Sequence, residues 1–245
     1  MKLAVQLYSL REMAADGPSF LALFPQLKAM GFDGVEFAGY HGLGAEEIRK
    51  ALDDAELVAV GAHVSLEDLM PENLQATIDF HKILGLHCFG PGGAPHSDLE
   101  ETQETCAMLA EAYEQVQKQG VTIYYHNHAS EFAPLEDGTI AIDHIKQACE
   151  LEVDTYWLDC ADVEAYSFLL ANKDRVHHVH LKDGEGLTPR ALGDGDCDLH
   201  SVIKAAKELK LPWLIVEDET LGQGMDSVKK GMAWLKKKLG DAGLN

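Results

Sequence analysis

Positive charge is scarce in this sequence. Twenty lysines and arginines stand against 41 aspartates and glutamates, a formal net charge of −21 with histidine neutral. Only four arginines occur: Arg11, Arg49, Arg175 and Arg190. So acidic a chain repels nucleic acid phosphates and anionic membranes, with no basic patch in compensation. Neither nucleic acid nor membrane is an expected partner, and the ligand to expect is neutral, cationic or metal-bridged. The five cysteines, Cys88, Cys106, Cys149, Cys160 and Cys197, are odd in number, dispersed and free of any C-x-x-C. That excludes a disulfide framework and a zinc knuckle, and points to free thiols in a reducing compartment. No apolar stretch approaches a membrane span. The opening "MKLAVQLYSLREM" is broken by Ser9 and Arg11, a poor signal peptide; a cytoplasmic location is expected. There is no Pro/Gly/Ser-rich linker, so one domain over residues 1–245 is expected. There is no G-x-S-x-G either, which removes support for a serine hydrolase, and Cys160 beside Asp159 is read as packing against a helix.

Short apolar runs alternating with helical segments are what the sequence does contain. The strand candidates are 3–9, 34–39, 57–64, 86–92, 121–128, 155–160, 176–183 and 213–218, each rich in β-branched or aromatic residues and ending near Gly, Pro, Asp or Asn. Between Asp98 and Gly120, the residues Thr102, Cys106, Leu109, Tyr113 and Val116 recur at helical spacing, with Gly120 where a C-terminal cap belongs. Met225, Val228, Met232, Leu235 and Leu239 form a similar stripe in the last helix, and Lys236, Lys237 and Lys238 complement the dipole at its end. Eight such units of about 30 residues predict a single-domain α/β fold, the closed (β/α)8 or TIM barrel. A doubly wound sheet is the alternative, but the first turn, "YSLREMAADG", lacks G-x-G-x-x-G.

In such a barrel the active site forms at the C-terminal mouths of the strands. The ionisable residues at the run ends are Glu36, His63, the group His126, Asn127 and His128 with Glu131 just beyond, then Asp159, His180, Lys182, Asp183, Glu217, Asp218 and Glu219. Alternation along "VHHVHLKDG" puts His178, His180 and Lys182 on one strand face and His177 on the other. His180 is then the site residue, His178 a deeper support, and His177 a structural residue facing the helices. Carboxylates and an imidazole gathered at adjacent strand ends, among them Asp159, His180 and Glu217, are costly without a cation among them. Ligand type leaves Mn²⁺, Mg²⁺, Co²⁺ and Zn²⁺ open.

The pieces "YHNHASEF" (125–132), "WLDCADV" (157–163), "HVHLKDG" (178–184), "LGDGDCD" (192–198) and "IVEDET" (215–220), with "AVQLYSLRE" and "GFDGVEF" near the start, resemble the xylose isomerase-like barrels. This is the sugar phosphate isomerase/epimerase superfamily. The resemblance covers nearly the whole chain, and its specificity lies in the ordered set. It implies a divalent metal held by Asp159, His180, Glu217 and a residue after strand five. Many relatives carry Glu there; here Glu131 is expected to reach back to the ion, with His126 as the alternative. The loop "LGDGDCD" has Asp194 where relatives often carry Glu. Asp194, Asp196 and Asp198 do not make an EF-hand, because Leu199 and Ala205 stand where Gly and Glu are required. Asp198 is read as a helix cap.

The resemblance further implies a sugar or polyol isomerase or epimerase working through an enediolate, with dimers or tetramers common among relatives. Glu217 would remove the proton beside the carbonyl, and Glu131 or His126 would return it. Glu36, His63, His128, Lys182 and Arg190 are candidates for the substrate's hydroxyls or a single phosphate. Dehydration is a close variant, and a sugar- or metal-binding barrel without turnover is the rival from another class. A DNA-repair endonuclease of the same superfamily is disfavoured by the charge.

Overall fold

Eight parallel strands close on themselves in sequence order: β1 (Lys2–Gln6), β2 (Gly34–Ala38), β3 (Val58–Val64), β4 (Cys88–Pro91), β5 (Thr122–His126), β6 (Glu150–Asp154), β7 (Val176–Leu181) and β8 (Trp213–Val216). The computed structural model describes residues 1–241. β1 seals the barrel against β8, with Lys2 opposite Trp213 and Val5 opposite Val216. The barrel, and the single domain it makes, are those the sequence predicts.

The alternation of side chains assigns two environments. Leu3, Val5, Val35, Phe37, Leu151, Val153, Val179, Leu181, Leu214 and Val216 are buried in the main apolar core. Facing them is the buried stripe of the helix Leu99–Gln117, whose Thr102, Leu109 and Val116 are inaccessible or nearly so, and that of the last helix, Val228, Met232, Leu235 and Leu239. Burying each such aliphatic or aromatic side chain contributes about 1.5–3 kcal/mol, so this outer layer carries the fold. Asp98 caps the helix Leu99–Gln117 by accepting from the Glu101 N–H at 2.8 Å. Asp198 does the same for the helix Leu199–Glu208 at the Ser201 N–H, 3.1 Å away.

The barrel interior is polar. Gln6, Glu36, Glu152, Asp154, His126, His178, His180, Lys182 and Glu217 are all buried. Among the described residues a small apolar plug, Ala4, Val60 and Ile215 backed by Trp213, stands apart from the main core. Gly61 has no room for a side chain: a β-carbon would lie 2.6 Å from both Glu36 Oε1 and the Tyr124 hydroxyl.

Two expectations are corrected. Residues 155–160 form a helix, Thr155–Cys160, and the sixth strand is the preceding Glu150–Asp154. Asp154 ends that strand and starts the helix, accepting from the Tyr156 N–H at 3.0 Å and the Trp157 N–H at 3.4 Å. Asp159 is consequently exposed on the helix. The second correction concerns His177. Leu151 pairs with Val176 but Glu152 with His178, so one residue of β7 is extra at this point. The bulge breaks strict alternation and sends His177 not to the helices but against Tyr124, ring centroids 6.0 Å apart at 18°.

Candidate active site

Strands β5 to β8 each end in one buried donor: His126, Asp154, His180 and Glu217. One ligand atom from each lies within 4.8 Å of all the others. His180 Nδ1 is 2.9 Å from Glu217 Oε2, and His126 Nε2 lies 3.5 Å from Asp154 Oδ2 and 3.7 Å from Glu217 Oε2. Donors on one ion at about 2.0–2.2 Å are about 3–4 Å from one another, so these spacings fit a shared cation. The polar accounting agrees, for neither ring nitrogen of His126 nor Asp154 Oδ2 has a hydrogen-bond partner. Buried orphans of that kind are rare without a ligand or water to satisfy them.

The unsatisfied contacts are electrostatically strong. Burial opposes a charged His126 ring, yet Asp154 and Glu217 raise its pKa to about 9. Burial likewise opposes ionising Glu217, but the Lys182 charge, His126 and His180 hold its carboxyl well below the usual range. His180 is raised well above an ordinary imidazole: desolvation works against its charge, and Glu152, Glu36 and Glu217 outweigh it. Its two nitrogens divide the site, Nδ1 toward Glu217 and Nε2 toward Glu36 at 2.6 Å. Glu36 also accepts from the Tyr124 hydroxyl at 2.6 Å. Deeper in the barrel, Glu152 takes His63 Nε2 at 2.6 Å and lies 3.3 Å from both His178 and His180.

The sequence-derived candidates fall into three groups. His126, His180 and Glu217 meet at the cluster; Glu36 contacts it through His180, His63 lies beside it with its ring 5.0 Å from His126, and His128 lines the mouth, its ring 5.0 Å from His126 and 5.3 Å from Trp157. Lys182 is also there, 3.7 Å from Asp154 Oδ2 and 3.8 Å from Glu217 Oε2. It is fully buried, paired with Glu219 and covered by the Trp157 and Tyr156 rings, so it acts on the carboxylates as a charge rather than reaching solvent. Glu131, Asp159 and Arg190 do not join. Asp159 is displaced by the helix, and the acid of this segment that lies in the cluster is Asp154. Arg190 is exposed on a small hairpin, Asp183–Glu185 with Thr188–Arg190, where it pairs with Glu185 at 3.3 Å.

Glu131 is buried in a one-turn helix, Ser130–Phe132. It accepts from the Tyr125 hydroxyl and the His128 N–H, both at 2.9 Å. Burial opposes its ionisation, but His128, the His96 charge and the Tyr125 hydrogen bond bring its pKa down to about 2. A carboxylate so engaged holds the loop after β5, and the side chain from the end of β5 that meets the cluster is His126.

Asp154 and Glu152 were missed because "ELEVD" carries three acids in five residues and reads as surface. Its period-two alternation, acid on one face and Leu151 and Val153 on the other, was the available signal. Asp183, a strand-end acid in the sequence, organises the loop after β7. Its carboxylate accepts from the backbone N–H groups of Gly184, Gly193, Gly195 and Cys197 at 2.8–3.3 Å. Gly195 packs so close that a β-carbon there would sit 2.2 Å from Asp183 Oδ1. Beside His63, a cleft of about 420 Å³ opens between β3 and the helix Pro71–Leu84, lined by Tyr40, Ser65, Asp68, Thr77 and His81 among others.

Comparison with known proteins agrees with this architecture. A sugar phosphate isomerase/epimerase from Parabacteroides distasonis superposes with a TM-score of 0.80 at 23% identity, over 96% of this chain and 93% of that one. A D-psicose 3-epimerase crystallised in the presence of D-fructose gives 0.71 at 15% identity, over 98% of each chain. The probable 3-DHS dehydratase of Bacillus anthracis involved in petrobactin synthesis gives 0.73 at 13%, over 96% and 99%. At such identities these likenesses establish the fold. No curated protein sequence matches the chain. The family model for the xylose isomerase-like TIM barrel matches residues 24–238, and with that match over most of its length the chain belongs to the xylose isomerase-like TIM barrel family.

Proposed function

We propose that this chain is a divalent-metal-dependent isomerase or epimerase of a keto-sugar or inosose-type polyol. The observation that carries the reading is the convergence of His126, Asp154, His180 and Glu217 at four successive strand ends, with buried donor atoms left unpartnered. Bound there, the ion would supply Lewis-acid polarisation of the substrate carbonyl and its adjacent hydroxyl. The chain's own residues supply the rest. Glu217, held anionic by Lys182, takes the proton beside the carbonyl. His63 and His128, partly exposed at the mouth, meet substrate hydroxyls. Glu36, through His180 Nε2, fixes that ring so that Nδ1 faces the site. Neighbours of the same fold that are named as a sugar phosphate isomerase/epimerase and a D-psicose 3-epimerase support the sugar class.

One feature favours elimination as a second reading. β5 ends in His126 where a second rim carboxylate would otherwise serve as proton donor, leaving Glu217 as the carboxylate best placed to act as base. Loss of a β-hydroxyl from the same enediolate needs only one such base, because the proton Glu217 takes can leave on the departing hydroxyl as water, and a probable dehydratase shares the fold.

The test is exchange of substrate C–H protons with deuterium oxide, followed by NMR. The metal-stripped protein is reloaded with Mn²⁺, Mg²⁺, Co²⁺ or Zn²⁺ and offered a panel of ketohexoses and inososes. Metal-dependent exchange that Glu217→Gln abolishes supports the reading. Exchange without product would mark an incomplete epimerisation, and an enone product would mark dehydration. No exchange with any substrate would leave a binding barrel.

A further inference from the structure

We infer that the chain binds a second divalent cation, of the zinc class, at the end of the barrel opposite the rim, through Cys88, His177 and His178. The inference is independent of the proposed activity. Cys88 opens β4, and His177 and His178 are the second and third residues of β7, so in a parallel barrel all three lie toward the N-terminal ends. One donor atom from each is within 4.8 Å of the other two.

The donor set differs in kind from that of the rim. A thiolate with two imidazoles suits Zn²⁺ and its relatives, whereas the rim offers only nitrogen and oxygen. The bulge at His177 is what makes the site, for regular alternation would place one of two adjacent histidines outside the barrel. The ring is already oriented. Its Nδ1 is 2.6 Å from Glu150 Oε2, and Glu150 is held in turn by the Tyr113 hydroxyl at 3.1 Å. With Nδ1 donating to that carboxylate, Nε2 keeps its lone pair for a metal, the carboxylate–histidine arrangement that accompanies most histidine ligands. His178 is 3% exposed, and its Nδ1 faces Glu152 Oε1 at 3.3 Å, which leaves Nε2 as the nitrogen that would meet an ion beside Cys88 and His177.

Cys88 is the third member, and its thiol donates to the Val60 carbonyl at 3.2 Å. Binding would replace that S–H bond with a sulfur–metal bond, the proton leaving to solvent and no electron changing hands. The side chain of His177 is 28% exposed, which gives the ion a path from the barrel's lower mouth. Three protein donors leave one position for water. Because β5 and β6 lie between β4 and β7, the ion would tie strands that share no hydrogen bonds.

The test uses the full chain, reduced and stripped by chelator, titrated with Co²⁺ and then Zn²⁺. A thiolate-to-cobalt charge-transfer band in the near ultraviolet is expected, saturating with one sulfur-bound ion per chain and displaced by Zn²⁺. It should be lost in Cys88→Ser and unchanged in Cys149→Ser, another buried thiol, and in Asp154→Asn at the rim. His177→Gln, at a partly exposed position, should lower Zn²⁺ affinity of this site at least tenfold, and it keeps the question open to measurement if Cys88→Ser fails to fold. A wild-type chain with no such band, a band that persists without Cys88, or unchanged affinity in His177→Gln would overturn the inference. Since the rim holds no sulfur, failure of the proposed activity leaves this band untouched, and absence of the band leaves rim binding untouched.

Discussion

Metal binding at the rim must displace protons, and the number can be worked from the site. His126 sits between Asp154 and Glu217 with its pKa raised from 6.5 to about 9, so at pH 7 the ring is almost fully protonated. A metal ligand must be the neutral imidazole. Removing the proton at pH 7 costs about 1.4 kcal/mol for each of the two pH units below 9, roughly 3 kcal/mol, or about a hundredfold in apparent affinity. His180 is displaced in the same direction and adds to the effect. Isothermal titration of the chelator-stripped protein with Mn²⁺, in two buffers of different ionisation enthalpy, should count between one and two protons released per ion at pH 7. Affinity should rise about tenfold or more per pH unit from pH 6 to 8. His126→Gln should lower the count by one and flatten the profile. A wild-type titration with no proton release, or affinity independent of pH over that range, would refute the argument that these four groups form one coordination sphere.

Other outcomes follow from the same arrangement of residues. Asp154→Asn should lose rim-bound metal on dialysis whereas Asp159→Asn retains it, read by elemental analysis; the reverse would restore the helix residue as the ligand. Glu131 contributes about 3 kcal/mol through a pKa lowered from 4.5 to about 2. Its folded pKa is depressed, so that stability is complete above pH 4.5 and disappears as pH falls toward 2. The destabilisation by Glu131→Gln in urea melts should therefore shrink over that window. Asp183→Ala strips a buried carboxylate from four backbone N–H groups and should cost about 3–5 kcal/mol in thermal melts; a loss below 1 kcal/mol would show that the loop holds itself.

How much of this was legible beforehand depended on whether a residue's environment is local. The helix Leu99–Gln117 and the last helix were visible because 3.6-residue spacing needs no knowledge of the partner face. Strands β5, β7 and β8 were visible from their aromatic and β-branched runs, and with them His126, His180 and Glu217. The strand β6 was not, because Glu152 and Asp154 are buried in the barrel, which inverts the usual rule that charge marks the outside. An acid-lined interior is stable only because His63, His178, His180 and Lys182 arrive from other strands to meet it.

The order of chemistry along the chain, alternating apolar runs and polar strand ends, determined a parallel barrel with its reactive groups at one mouth. Tertiary structure alone decided which acid joins the cluster at the rim, that Glu131 braces a loop, and that His177 turns inward at a one-residue slip of register. The reason is physical: periodicity along a chain states which residues share a face, but a coordination sphere or a bulge is set by how strands align across the gap between them, and that alignment is written in no single strand.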